Sequence, residues 1–304
     1  MKKILLIINP NSGMKRANKY LTDIIVLFSN YGYITDVRPT MKRTDAYEYA
    51  KNLSSDYDLV VCIGGDGTFN ETVGGMVDSG CTVPIGYIPA GSTNDFGNGL
   101  GLSKRILQAA EDIMTGTVRK LDIGRFNDRY FSYTASFGVF TKVSYTTSQN
   151  IKNALGHLAY VLESIKELSS IRSEHIKLMI NGEVVEDDYI FGAICNSTSL
   201  GGVLTLSPDV VDLSDGLFEI LMIRMPENIV ELNEIILALN TKNYSSTDMI
   251  FFKSAAEAKI ETDKTVSWTL DGEYMEGSEI IIMDNIHDAI NIVVPSAENN
   301  KVRV

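Results

Sequence analysis

The chain has 304 residues, 44% of them hydrophobic and 22% charged, and its 39 acidic against 27 basic side chains leave a net charge of −12. That length exceeds a typical single domain, so two domains are expected. The acidic balance excludes a nucleic-acid face, which needs lysine and arginine to neutralise phosphates, and it disfavours strong electrostatic docking to an anionic bilayer. Apolar runs such as Ile4–Ile8 and Leu59–Ile63 are short, against the roughly 20 residues a membrane helix needs. Met1-Lys2-Lys3 followed by an apolar run starts like a signal peptide, but Asn9-Pro10-Asn11-Ser12-Gly13 interrupts it, so a first strand and a cytoplasmic protein are expected. Cys62, Cys81 and Cys195 lie in apolar stretches with no zinc spacing and are expected as buried free thiols. His157, His175 and His287 are equally scattered and are expected to be structural.

In chain order, Lys3–Asn9 reads as a strand, and Leu21, Ile24, Ile25 and Phe28 recur at helical spacing. Tyr33–Arg38 is a second strand, and Thr44 is placed to cap a helix whose Ala46, Tyr49, Ala50 and Leu53 share a face. Asp58–Gly64 has the continuous apolar character of a strand buried on both sides. A helix over about Asn70–Asp78, a strand over Val83–Ile88 and a helix capped by Ser103 follow. Strands alternating with helices predict βαβ units and a parallel sheet.

Beyond about Asp122 the pattern changes. Asn127-Asp128 and Asn181-Gly182 are hairpin signals, and strands are predicted at Ile190–Asn196, Leu217–Arg224, Ala258–Glu261, Val266–Leu270, Glu279–Met283 and Ala289–Val294. Helical segments interrupt them near Ile151–Leu168 and Asn228–Leu239; core packing is the expectation for the first, and a buried strand for Phe251-Phe252. The tail, Ser296–Val304, is polar. The fold class is therefore α/β plus β: a three-layer α/β domain over 1–122, then a β-rich, sandwich-like domain over 123–288.

Three glycine-bearing loops each follow a predicted strand of the first domain: Asn9-Pro10-Asn11-Ser12-Gly13, Gly64-Gly65-Asp66-Gly67-Thr68-Phe69-Asn70-Glu71, and Pro89-Ala90-Gly91-Ser92-Thr93-Asn94-Asp95-Phe96. Loops at the carboxyl ends of parallel strands converge on one crevice. Glycine lets backbone N–H groups approach an anion, and helices starting after the first two loops add their positive ends. A polyphosphate is the expected ligand. Neither a Walker A loop nor a dinucleotide fingerprint is present. Any one loop alone would read as a tight turn.

Gly64-Gly65-Asp66-Gly67-Thr68 resembles the signature shared by NAD kinases, phosphofructokinase-like enzymes and lipid kinases. Its extension to Asn70-Glu71 and the third loop are similar to the bacterial diacylglycerol kinase family. The likeness continues through Leu121-Asp122-Ile123-Gly124, Pro208-Asp209, Asp215-Gly216 and Leu270-Asp271-Gly272-Glu273.

The resemblance implies an NAD kinase-like first domain to which a C-terminal segment, about 289–304, can return. It implies transfer of the ATP γ-phosphoryl group to a hydroxyl of diacylglycerol or a related lipid. By the same likeness Asn9, Pro10, Asn11, Ser12, Gly13, Thr40, Gly65, Asp66, Gly67, Thr68, Phe69, Asn70, Glu71 and Ser92 hold ATP. Asp66, Asp95 and Asp122 organise a catalytic Mg²⁺, and Glu273 is the proton acceptor with Asp271 beside it. Asp212, Asp215 and Leu217 form a structural Mg²⁺ site, with Leu217 and Asp212 offering backbone carbonyls. Implied partners are ATP, a lipid met transiently at the membrane surface, and a second copy of the chain in a homodimer. Phosphorylation of another lipid or of NAD, or nucleotide binding without catalysis, stay open as alternatives. Two positions depart from the family: Asn98 and Met14 stand where basic residues are common, which removes positive charge beside the phosphate loops.

Overall fold

The computed structural model describes residues 1–15, 17–138, 172–196, 199–200, 204–205 and 212–296. The predicted helix near Ile151–Leu168, His157, Arg16, Pro208-Asp209 and the tail from residue 297 lie outside them. The chain forms two units: Met1–Leu121 with the segment from Asp288 onward, and Asp122–His287.

The first unit contains β1 (Lys2–Ile8), α1 (Leu21–Asn30), β2 (Tyr33–Pro39), α2 (Asp45–Leu53), β3 (Leu59–Gly64), α3 (Asp66–Ser79), β4 (Ile85–Pro89), α4 (Asp95–Gly99) and α5 (Ile106–Thr115). β2, β1, β3 and β4 pair in that order, all parallel. Burial on both faces explains their unbroken apolar runs: Ile4, Leu6, Ile8, Val61 and Ile63 pack with Phe28 of α1 and Ile106, Ala110 and Ile113 of α5. The alternate residues Leu5, Ile7, Val60 and Cys62 are also fully buried, and Cys62 bonds Thr72 of α3, which covers that face. Helices on both faces of the sheet make three layers.

Local chemistry at the helix starts departs from expectation. Thr44 sits at the N-cap of α2 but in a left-handed conformation and without a side-chain cap; Asp45 instead takes the N–H groups of Met41 and Lys42 at 2.7 and 3.0 Å. Ser103 accepts from Arg105 N at 3.2 Å, and α5 begins after Arg105. α3 starts at Asp66, inside the glycine loop. The first loop leads only into two short 3-10 turns before α1, so no helix N-terminus follows it directly.

The second unit is built from β5 (Thr117–Phe126), β6 (Arg129–Phe131), β7 (Thr134–Gly138), β8 (Glu174–Ile180), β9 (Glu183–Cys195), β10 (Ser199–Leu200), β11 (Leu204–Thr205), β12 (Phe218–Arg224), α6 (Ile229–Thr241), β13 (Ile250–Ala255), β14 (Glu257–Thr262), β15 (Trp268–Leu270), β16 (Glu273–Met275) and the first part of β17 (Ile280–Val294). The chain passes between the units within β5 and at Asp288 of β17. The two predicted strands at Glu279–Met283 and Ala289–Val294 are thus one element, in which Asp288 has φ +53°. Its last part pairs parallel to β4 at Ile292↔Ile85, and its first part runs antiparallel to β14.

β16-β15-β7-β9-β8-β14-β17 run in sheet order, and β12 joins β9 to β13. Phe126, Phe131, Phe137, Phe218, Ile220 and Trp268 anchor the core between the sheet faces. Leu221 and Ile223, alternating with them along β12, pack beneath Leu232, Ile235 and Leu239 of α6. Asn228 caps α6 as its side chain accepts from Val230 N and Glu231 N. Cys62 and Cys195 are buried; Cys81 is only half-buried, since Thr82 and Pro84 lead the chain out before β4. Among the described residues no helix is long and apolar enough to cross a membrane.

Candidate active site

In the first unit the three loops touch. Asn9 N–H donates to Ile63 O at 2.9 Å and Ala90 N–H to Gly64 O at 2.7 Å, extending the strand pairing into the loops. Asn9 Nδ2 reaches Thr68 Oγ1 at 3.1 Å, and its Oδ1 accepts from Asn11 N at 3.0 Å. Pro10 O takes Asn18 Nδ2, and Ser12 N–H returns to Asn9 O. Gly13 has φ +52°, and a Cβ there would lie 1.9 Å from Ala90 O; a Cβ on Gly91 would lie 2.6 Å from Gly65 Cα. Backbone meets backbone at both contacts, which only glycine permits. Thr40, 8% exposed, hangs from β1 through its N–H to Ile8 O at 2.9 Å.

Gly65 is the N-cap of α3, so Asp66, Gly67 and Thr68 form its first turn. The Asp66 carboxylate accepts from Asp95 N at 3.2 Å and Phe96 N at 3.3 Å, joining the second loop to the third. Burial, then the neighbouring Asp95 charge, push its pKa up to about 6 against the backbone donors that lower it. Phe69 is fully buried and stacks on Tyr87 and Phe96 with ring centroids 4.4 and 4.6 Å apart. Glu71 reaches away from the loop to accept Thr44 N at 3.0 Å, and Asn70 lies beside it on α3. Ser92 is exposed at the third loop's tip. Asn98 donates to Thr93 O at 3.0 Å.

The second unit holds the remaining predicted residues. Asp122, 1% exposed, accepts from Gly216 N at 2.7 Å and contacts His287 Nδ1 at 3.0 Å. Asp271, 7% exposed, has both oxygens engaged by backbone donors: Ser132 N at 2.6 Å, Tyr133 N at 2.9 Å and Thr134 N at 3.0 Å. Asp271 and Gly272, both at positive φ, turn the chain from β15 into β16; the predicted partner strand, Glu279–Met283, pairs elsewhere. Glu273 follows at once, exposed at the start of β16. A carboxylate already holding three amides is suited to positioning its neighbour, not to taking a proton.

Asp212 accepts from Ser214 N and Oγ, Asp215 from Leu217 N at 2.9 Å, and Leu217 O accepts from Asn285 Nδ2 at 2.9 Å. Two residues that sequence patterns did not single out complete this region. Glu219 is 1% exposed with Oε2 unpartnered, and its pKa is pushed up to about 8 by burial and then by Asp215. Asn196 donates to the Asp122 carbonyl at 2.6 Å. Glu219 lies in an apolar strand, the one available signal being a lone acid amid Phe218, Ile220 and Leu221.

Both acidic groups offer hard oxygen donors of the kind Mg²⁺ takes. At Asp66 burial and then the like charge of Asp95 raise the carboxyl's pKa, and at Asp212–Glu219 a buried oxygen lacks a partner, so each donor set fits a divalent cation.

Two family models match in chain order: the diacylglycerol kinase catalytic domain over residues 3–126, and the YegS C-terminal NAD kinase beta sandwich-like domain over residues 134–293. A diacylglycerol kinase of Bacillus subtilis (strain 168) is 33% identical over 300 residues, covering 97% of each chain. One from Staphylococcus carnosus (strain TM300) is 31% identical, covering 90% of this chain and 89% of its own. A crystal structure from Bacillus anthracis str. Sterne superposes with a TM-score of 0.78 at 25% identity, covering 97% of this chain and 96% of that one. Another from that strain, described as a diacylglycerol kinase, shares the fold at a TM-score of 0.74 and 22% identity, covering 97% and 98%. The chain belongs to the bacterial diacylglycerol kinase family of lipid kinases.

Proposed function

We propose that this lipid kinase phosphorylates the free hydroxyl of diacylglycerol, giving phosphatidic acid. The observation that carries the reading is the meeting of three glycine-bearing loops, the first packed on the others at Asn9–Thr68 and Gly13–Ala90 and the third bound to the Asp66 carboxylate of the second, within a chain similar over nearly its full length to curated diacylglycerol kinases. Close backbone approach at Gly13, Gly65 and Gly91 lets the loops pack with no side chain between them; the Gly91 amide is held by Asn94 Oδ1 at 2.8 Å, and other amides of the loops would meet phosphate oxygens. Asn9 and Thr68 fix the first loop against the second, and Thr40 lies at the end of β2 beside them.

In this reading the lipid hydroxyl oxygen forms a bond to the γ-phosphorus as the bond to the β,γ-bridging oxygen breaks. ADP leaves with that electron pair, and the hydroxyl proton passes to the Glu273 carboxylate. Asp271 fixes the turn that carries Glu273. Mg²⁺, when bound, would neutralise charge on the β- and γ-phosphate oxygens, with Asp66, Asp95 and Asp122 as its holders; Asp212, Asp215 and Leu217 would hold a structural ion. General-base help of this sort is worth about 10²–10⁴-fold in rate.

The test is incubation with γ-labelled ATP, Mg²⁺, a panel of micellar lipids and NAD. Label on diacylglycerol is the expected result. Label on another lipid alone, or on NAD, overturns the substrate assignment, and ATP binding without transfer overturns the reaction. Glu273→Gln is expected to keep its unfolding profile and ATP affinity while losing at least 100-fold in turnover; near wild-type turnover removes Glu273 from its role.

A further inference from the structure

We infer that Glu71 is a positioning residue that holds the turn Thr40–Thr44 in shape, and through it Thr40, instead of touching nucleotide itself. The inference rests on the reading above only in giving Thr40 to ATP. Thr44 has φ +72°, a conformation that a β-branched residue adopts under strain. Its own side chain makes no capping bond. Its N–H is instead taken by Glu71 Oε1 at 3.0 Å, from a residue 27 positions away on α3.

The rest of the turn is pinned as well. Thr40 N–H donates to Ile8 O at 2.9 Å, and Asp45 Oδ2 accepts from both Met41 N and Lys42 N. The start is therefore held by β1 and the middle by α2; at the strained end the Thr44 carbonyl takes Glu48 N at 2.9 Å and Asp45 N–H reaches Lys42 O at 3.4 Å, while the Thr44 N–H is held by Glu71. Removing Glu71 lets Thr44 relax toward negative φ, and the turn that carries Thr40 then moves. The packing of α2 on α3 does not depend on this bond: Gly75 lies against Tyr47 and Ala50, where a Cβ would come within 2.3 Å of Tyr47 O. Glu71 thus ties the second glycine loop's helix to the turn after β2. A motif residue next to a phosphate loop need not point into it.

The experiment uses the full chain and two independent readouts: hydrogen exchange at the Thr44 amide without ligand, and calorimetric titration with ATP and Mg²⁺. Glu71→Ala is expected to abolish Thr44 protection and weaken ATP about 10-fold, the scale of one lost charge-assisted hydrogen bond. KM for ATP should rise while kcat at saturating ATP stays within about two-fold. Glu71→Gln, whose amide oxygen can still accept, should keep the protection and most of the affinity. Glu71→Ala combined with Thr44→Gly should recover most of the affinity, because glycine takes this φ without strain. If Glu71→Gln binds ATP as poorly as Glu71→Ala while Thr44 stays protected, the carboxylate acts on the nucleotide directly and the inference is overturned. Equal Thr44 exchange in wild type and Glu71→Ala also overturns it. Wild-type protein that binds no ATP would instead sink the phosphotransfer reading, and the exchange result would still decide the role of Glu71.

Discussion

Asp66→Asn should make the first unit more stable at alkaline pH while ending catalysis. Burial and the nearby Asp95 charge raise Asp66 from 3.8 to about 6, which corresponds to about 3 kcal/mol favouring the neutral form. The folded carboxyl binds its proton more tightly than the unfolded one, so stability present below pH 3.8 is lost as pH rises through about 6. Asparagine avoids that loss but keeps one oxygen for two donors, Asp95 N and Phe96 N, giving back about 1 kcal/mol. Asp66 is half-buried, and solvent screening trims the remainder to about 1–2 kcal/mol. On a domain of this size that is a gain of about 3–6 °C in Tm at pH 8, falling to about 1–2 °C at pH 5, where the loss that runs from 3.8 to about 6 is only about half complete. Scanning calorimetry at the two pH values, without nucleotide, reads the difference, and turnover should drop at least 100-fold. A Tm difference between variant and wild type that is the same at pH 5 and pH 8 refutes the reasoning.

Asp271→Ala leaves three buried amides, those of Ser132, Tyr133 and Thr134, without their acceptor; the expected loss is about 3–5 kcal/mol in urea unfolding, and a loss below 1 kcal/mol would mean that the turn does not depend on the carboxylate. Glu219→Gln should flatten the fall of stability with pH. The buried wild-type carboxyl, raised from 4.5 to about 8, costs up to about 1.4 kcal/mol per pH unit as pH climbs toward 8. Denaturation midpoints at pH 6 and pH 8 should therefore converge in the variant.

The glycine loops were legible because their residue types have few other uses: a strand ending in Gly64-Gly65-Asp66-Gly67 leaves little choice of backbone. Helix faces were legible from period, as Ile24 and Phe28 show. Helix starts were not, because capping depends on the backbone conformation at the start as well as on residue type, and Thr44 at φ +72° makes no side-chain cap. Thr44 has the right chemistry for a cap, but Asp45 supplies the carboxylate that takes Met41 N and Lys42 N. The strand from Ile280 to Val294 was split in reading because Asp284, Asn285, His287 and Asp288 look like a polar turn. In the fold, Asp284 pairs with Arg125, Asn285 with the Leu217 carbonyl, His287 with Asp122 and Asp288 with Lys120. Polar residues that each have a partner do not end a strand, and those partners are about 70 to 170 residues away in sequence.

The same distance problem governs the acidic residues, which sequence reading treats as one class. Geometry sorts them by what already occupies their oxygens. Asp271 and Glu71 hold backbone amides across long sequence gaps, and such bonds shape turns. Asp66 also holds two amides, yet its pKa stays raised, so desolvation and Asp95 outweigh those donors and leave a net demand for positive charge. That demand bears on a chain carrying −12, with asparagine at position 98 and methionine at position 14. Asn98 is committed to the Thr93 carbonyl, so an arginine there would add charge but release the third loop's tip. An acidic cluster that disfavours its own ionisation binds a divalent cation more tightly as pH rises through about 6. The positive charge for phosphate transfer can therefore enter with the metal–nucleotide complex, without a basic side chain at position 98.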